Sequence, residues 1–152
     1  LHPEAFTHGQ LHLPESGNGR TDLLDEAVFG LEVWRQAQTP EGGVGVWIEA
    51  TSHPQVPDPG LDPQPYYLAL PTRNGTLIYA RAASMLSRAL RLSGDAAAAD
   101  LWLESAHRAF AYGTDPAVRV RRDFTARDGS AHHFIEAPAP SPQRAASMST
   151  TC

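Results

Sequence analysis

PESGNGRTDLLDEAVFGLEVWRQAQ, residues Pro14 to Gln38, is the stretch whose reading decides the fold. Gly17, Asn18 and Gly19 form a turn cluster, because glycine takes positive φ at no steric cost and asparagine closes a local side-chain turn. Behind them Leu24, Ala27, Val28, Leu31 and Trp34 recur at steps of three and four, one apolar stripe along a helix. Asp22 is placed to cap the free N–H groups of that helix. Asp25 and Glu26 add negative charge where the macrodipole favours it. Thr39-Pro40 and then Gly42-Gly43 stop the helix.

Downstream, Val44, Val46 and Ile48 alternate with Gly45, Trp47 and Glu49, a period of two that predicts a short strand or extended edge. Pro54, Pro57, Pro59, Pro63 and Pro65 then exclude regular structure. A long proline-rich loop of this kind is either functional or disordered, and the aromatics Trp47, Tyr66 and Tyr67 favour function. Helix returns after Thr72 or Asn74 as cap, with Ile78, Ala82, Met85, Leu86 and Ala89 as its stripe. Ser93-Gly94-Asp95 supplies a helix-ending glycine and a new N-cap. A third helix runs to about Tyr112, burying Trp102, Ala106, Ala109 and Phe110, with Gly113 as its stop. So short a link makes the last two helices an antiparallel hairpin.

After Thr114 the pattern decays. Val118, Val120, Phe124, His133, Phe134 and Ile135 predict one or two short strands, with Asp128-Gly129 as a hairpin turn. Residues 137–152 read as a low-complexity, disordered tail. Residues 1–113 are therefore expected to form part of one helical domain, with 114–136 as its extended continuation.

The chain has 152 residues, the size of one domain, and 41% of them are hydrophobic, enough for a core. Its net charge of -5, with arginines that are scattered or matched by acids, speaks against nucleic acid as a partner. No apolar run approaches membrane-spanning length, so no membrane partner is expected. The lone Cys152 allows no internal disulfide. His2, His8 and His12 do not share a helix face, and adjacent His132 and His133 on a strand point to opposite sides. Neither set predicts a metal site, and no cofactor is implied. The start at Leu1 suggests a piece of a longer product, although a processed mature protein would look the same.

Pro14-Glu15-Ser16-Gly17-Asn18-Gly19 followed by Asp22-Leu23-Leu24-Asp25-Glu26-Ala27 resembles the segment of glycoside hydrolase family 9, the cellulases and their relatives, that enters a helix of their (α/α)6 barrel. Gly42-Gly43-Val44 is similar to that family's element opening the loop toward the cleft. Thr76-Leu77, the alanine-rich helix and Ser93-Gly94-Asp95 resemble its next hairpin. The resemblance spans Leu13 to Gly113. It implies an all-α fold, a partial (α/α)6 barrel of about three helices with a long proline-rich loop and a short extended C-terminal part. It also implies a secreted or extracytoplasmic enzyme that hydrolyses β-1,4-glucans or related β-glycosides with inversion.

Inversion needs one carboxylic acid for the leaving oxygen and one carboxylate to activate water on the opposite face. The family's base lies in an upstream Asp-Ala-Gly-Asp-type motif and its acid far downstream, and neither motif occurs here. Asp25 and Glu26 diverge by about 100° on a helix and cannot serve one substrate. No catalytic residue is therefore assigned. What remains is cleft wall: Trp47 to stack on a sugar ring, Glu49 and His53 to bond its hydroxyls, His53 through the resemblance. Trp47 equally fits a packed aromatic, and His53 a surface loop histidine. The expected partners are a polysaccharide or oligosaccharide and the remainder of the catalytic domain. Two rivals stand beside this reading: a helical-hairpin binding or scaffold module, and another α/α-toroid enzyme acting on carbohydrates.

Overall fold

The computed structural model describes residues 7–45, 47–50, 52–118, 121–125 and 129–135. His2, Val46, Val120, Asp128, Cys152 and the tail 137–152 lie outside the described residues. Three helices dominate: α1 (Asp22–Gln36), α2 (Arg73–Leu92) and α3 (Ala96–Thr114). Strand β1 (Ile48–Ala50) pairs antiparallel with β2 (Tyr66–Leu68), and β3 (Arg121–Thr125) with β4 (Ala131–Ile135). The predicted all-α architecture of about three helices is what forms.

The α2–α3 hairpin is the core. Its link follows the predicted chemistry: Gly94 sits at φ +93 after Ser93, and the Asp95 carboxylate accepts from the Ala98 N–H at 3.0 Å. Thr72 caps α2, its hydroxyl accepting from the Gly75 N–H at 3.0 Å. Between the helices lie small residues, Ala80 and Ala83 on α2 and Ala99, Ala106 and Ala109 on α3, all buried. They let the axes approach closely. Trp102 fills the remaining space with Leu86 and Leu90, and burying such a side chain contributes about 1.5–3 kcal/mol or more. Gly113 is a contact rather than a stop: a Cβ there would meet Leu77 at 2.6 Å, and the helix continues to Thr114.

Helix α1 lies against this hairpin through Leu24, Val28, Leu31 and Trp34, as its spacing predicts, whereas Ala27 is exposed. Arg35 reaches over the Trp102 ring at 5.9 Å. The α2 stripe needs correction. Leu86 is buried, but the face that packs is Thr76, Tyr79, Ala80, Ala83, Ser87 and Leu90. Ile78 and Met85 (64% exposed) look outward with Ala89 and Leu92, while Ala82 is half-buried. Phe110 on α3 is likewise exposed, as is Phe29 on α1, at 73%. The alanine-rich groove selected the face with less bulk, so hydrophobicity alone misassigned the contact.

Candidate functional site

The chain leaves α1 through a glycine-rich root that is keyed into the α2–α3 groove. The Thr39 N–H donates to the Gly43 carbonyl and the Thr39 carbonyl accepts from the Gly42 N–H, both at 2.9 Å, while the Thr39 hydroxyl accepts from the Gly43 N–H at 3.1 Å. Gly42 stands at φ +101 so close to α3 that a Cβ would meet the Arg108 carbonyl at 2.3 Å. Val44 is buried, and its N–H donates to the hydroxyl of fully buried Thr76 at 2.9 Å. Gly45 passes so near β2's continuation that a Cβ would meet the Ala69 carbonyl at 2.1 Å.

From this root the β1–β2 ribbon projects into solvent. The predicted strand begins later than its alternation suggests, at Ile48, although the Trp47 carbonyl already accepts from the Ala69 N–H at 3.0 Å. Tyr66 and Tyr67, read from the sequence as loop aromatics, form the returning strand. The register sets Glu49 opposite Tyr67, and alternation sets Trp47 on the same side as Glu49. Trp47 is 48% exposed, and Glu49 and Tyr67 are exposed beside it. The structure thus brings Trp47 and Glu49 to one face. His53 stands further out on the loop, exposed, where its carbonyl accepts from Gln55 Nε2 at 3.0 Å.

The loop beyond is more organised than its prolines suggest. Asp62 accepts from the Gln64 N–H at 3.1 Å and from the Tyr66 hydroxyl at 2.6 Å. That hydroxyl, then the backbone bond, holds the Asp62 carboxyl below its usual range, and the same contact pushes the Tyr66 phenol up. Asp58 accepts from the Gly60 N–H at 2.9 Å, closing the single 3-10 turn Pro59–Leu61, and Ser52 bonds Gln64. Asp-x-Gln-x-Tyr is the signal that marks this clamp in the sequence.

The signature turn at 14–20 has a different role. Asp22 does not cap α1. Thr21 holds the N-cap position without a side-chain bond, and the fully buried Asp22 carboxylate turns back to accept from the Gly9 N–H (2.8 Å), the Leu11 N–H (2.7 Å) and the Ser16 hydroxyl (3.0 Å). Burial pushes that carboxyl up, but the three donors outweigh it and hold its pKa below the usual range. Asp25 is also buried, accepting from Asn18 at 3.0 Å and Arg20 at 3.1 Å, whereas Glu26 is solvated. Arg20 reaches on to Asp95 at 2.6 Å, which ties the turn to the α2–α3 link and keeps the Asp95 carboxyl low. His8 bonds the Arg20 carbonyl through Nδ1. A polar hollow of about 430 Å³ lies here, lined by Asn18, Gly19, Arg20, Ser93, Gly94 and Asp95. Its charged groups are already engaged with one another, so it reads as the seam of a lock and not as a sugar cleft.

Among the described residues no three of His, Cys, Asp and Glu converge on a metal site, and no helix is long and apolar enough to cross a membrane.

No family model matches the chain, and neither does any curated protein. Among solved structures it is similar to a metagenome-derived glycoside hydrolase family 9 endoglucanase, with a TM-score of 0.68 and 39% sequence identity. The match covers 72% of this chain and 20% of that one, so likeness in sequence accompanies likeness in shape over one fifth of the relative's length.

Proposed function

Since this chain carries a segment of the glycoside hydrolase family 9 fold, we propose that it forms one wall of the sugar cleft in an inverting, secreted or extracytoplasmic β-1,4-glucanase. The observation that carries this reading is the ribbon face on which half-exposed Trp47 stands beside Glu49, with Tyr67 directly across from Glu49. A flat aromatic face next to a carboxylate suits a pyranose: the ring stacks on C–H groups while the carboxylate accepts from hydroxyls. His53 adds a further hydroxyl partner from the loop.

The chemistry itself falls to residues outside this chain. Inversion requires two carboxyl groups separated enough to admit a water, one protonated and one ionised. Asp22 and Asp25 are buried and committed to the turn, and Asp95 is committed to Arg20. Glu49 has a ribbon face and no second acid opposite it, because its cross-strand neighbour is Tyr67. The acid and base are supplied by the remainder of the catalytic domain. The exposed apolar residues Phe29, Ile78, Met85 and Phe110, one or more on each helix, are where that remainder packs.

The test uses the 152-residue chain. Incubated with soluble β-1,4-glucan it releases no reducing ends, while titration with cellohexaose gives saturable binding that Trp47→Ala weakens. Hydrolysis above background overturns the assignment of the acid and base elsewhere. Absence of cellohexaose binding overturns the cleft-wall role.

A further inference from the structure

We propose that Thr76 is a positioning residue that carries the Trp47 ribbon as a rigid outgrowth of α2, so that the direction of the sugar-facing side is set by the α2–α3 hairpin and not by α1. The inference rests on the cleft-wall reading for its functional meaning and on geometry alone for its mechanical part.

Thr76 is fully buried in the second turn of α2. Its hydroxyl accepts from the Val44 N–H at 2.9 Å and donates to the Thr72 carbonyl at 2.6 Å, with the Val44 carbonyl at 3.2 Å as a second acceptor. One side chain thereby satisfies a buried backbone donor three residues before Trp47, where among the described residues no strand partner does so. Apart from the local bonds to Thr39 and the approach of Gly45 to Ala69, the other contacts of the root lead to the same hairpin or to the residues that enter it. Gly43 packs on Pro71 and Tyr112, and Gly42 on Arg108. Gln38 donates through Nε2 to the carbonyls of Gly42 (3.1 Å) and Ser105 (3.0 Å). Its Oε1 accepts from the Ser105 hydroxyl at 2.8 Å, and that hydroxyl bonds Tyr79 at 2.7 Å. The root is thus bonded to residues of α2 and α3 from several sides. From Trp47 to Glu49 and from Tyr66 to Leu68 the ribbon is exposed on both faces, so its orientation is inherited from the root. A tilt of the Val44 peptide is transmitted to the Trp47 ring, and misplacing a sugar-contacting group by about 1 Å weakens recognition substantially.

Amide hydrogen exchange on the full 152-residue chain tests the mechanical part without any substitution. The Val44 N–H is expected to exchange with the α2 unit, at a protection matching Ala83, and far more slowly than the ribbon amides. Exchange of Val44 at the ribbon's rate overturns the proposal. Thr76→Val removes the hydroxyl at nearly constant volume and is expected to speed Val44 exchange about ten- to a hundredfold. It also broadens the signal of 5-fluorotryptophan at position 47 and weakens cellohexaose binding roughly tenfold. Protection at Ala83 and Ala109 stays at the wild-type level, and Thr76→Ser, which keeps the hydroxyl, restores all three readouts. An unchanged Trp47 signal in folded Thr76→Val overturns the proposal, and if that variant does not fold, the wild-type exchange pattern decides. A wild-type chain that ignores cellohexaose brings down the sugar reading alone, since the exchange and fluorine results still decide the positioning.

Discussion

The turn at 14–20 and the ribbon at 47–68 are both glycine-rooted excursions from the same helices, built on opposite principles. The turn is held by two buried carboxylates, Asp22 and Asp25, and by Arg20 spanning Asp25 and Asp95. The ribbon is held at its root by neutral groups, the Thr39 and Thr76 hydroxyls, the Gln38 amide and close backbone contacts, then leaves its aromatics half in water. The more distinctive string of sequence therefore marks architecture, and the less distinctive one carries the proposed recognition face. Buried charge tolerates few substitutions, because each removed partner strands another group in a low-dielectric site. An exposed ribbon tolerates many.

The comparison breaks first at Asp22. Asp22→Ala leaves the Gly9 and Leu11 N–H groups and the Ser16 hydroxyl without their acceptor. We expect the midpoint of thermal unfolding to fall by roughly 10 °C or more, with Asp22→Asn intermediate because one oxygen still accepts. Circular dichroism at 222 nm measures it. A midpoint within two or three degrees of wild type would show that the turn is not a lock.

Acid removes the same lock reversibly. The Asp22 and Asp95 carboxyls are held below their usual range in the folded chain, Asp95 first by Arg20, and Glu32 is held low by Arg35. A depressed folded-state pKa contributes stability above the unfolded value, about 3.9 for aspartate, and that stability is lost as pH falls through the folded value. Helix content should stay flat from pH 7 to about 5 and decline progressively below about 4. Asp62 on the ribbon is also held below its usual range, first by Tyr66, but its protonation loosens only the local bonds to Tyr66 and Gln64. Loss of helix beginning near pH 6 would contradict this assignment and implicate a histidine.

These two effects also explain what was legible beforehand. The helix hairpin was readable because Thr72, Ser93, Gly94 and Asp95 act locally, each within a few residues of the groups it caps. The three-helix fold was readable from Leu24, Val28, Leu31, Trp34, Trp102, Ala106 and Ala109, whose spacing matches their burial. Asp22 was misread because its partners lie six, eleven and thirteen residues upstream, the farther two in a segment whose pattern shows no period. Ile78, Met85 and Phe110 were misread because a stripe of larger apolar groups outweighs alanines in any count, while the groove between helices selects for small ones. The pairing of Glu49 with Tyr67 across the proline-rich loop is non-local, and strand alternation on one side does not specify its partner. Trp47 and Glu49 share a face for the simple reason of period two, and His53 lies beyond the reach of that rule.

At the ribbon's root the effect should be smaller and confined. Gly45→Ala places a Cβ 2.1 Å from the Ala69 carbonyl, so the two strands must separate where they start to pair. We expect a loss of about 1–3 kcal/mol by urea unfolding. The Ala69 N–H, which donates to the Trp47 carbonyl, should lose protection while Ala83 keeps its own. Equal loss across the helices would mean that the ribbon is part of the core, and the contrast with the turn would be void.

The smallest expected change in stability is at the residue with the largest expected effect on recognition. Trp47 is half-exposed, so removing its ring forfeits only part of the burial of a core tryptophan, and Trp47→Ala should lower unfolding free energy by about 1–2 kcal/mol. Cellohexaose binding should nonetheless weaken by at least about tenfold, since loss of one stacked aromatic face amounts to more than about 1.4 kcal/mol of contact. Trp47→Phe should recover part of it. The two measurements separate the two roles open to this side chain. A packed aromatic between strand and helix loses stability on truncation by about 3–5 kcal/mol and takes binding down with it through unfolding. A stacking platform loses binding while the chain stays folded, and only that outcome leaves the ribbon and the turn as different kinds of structure.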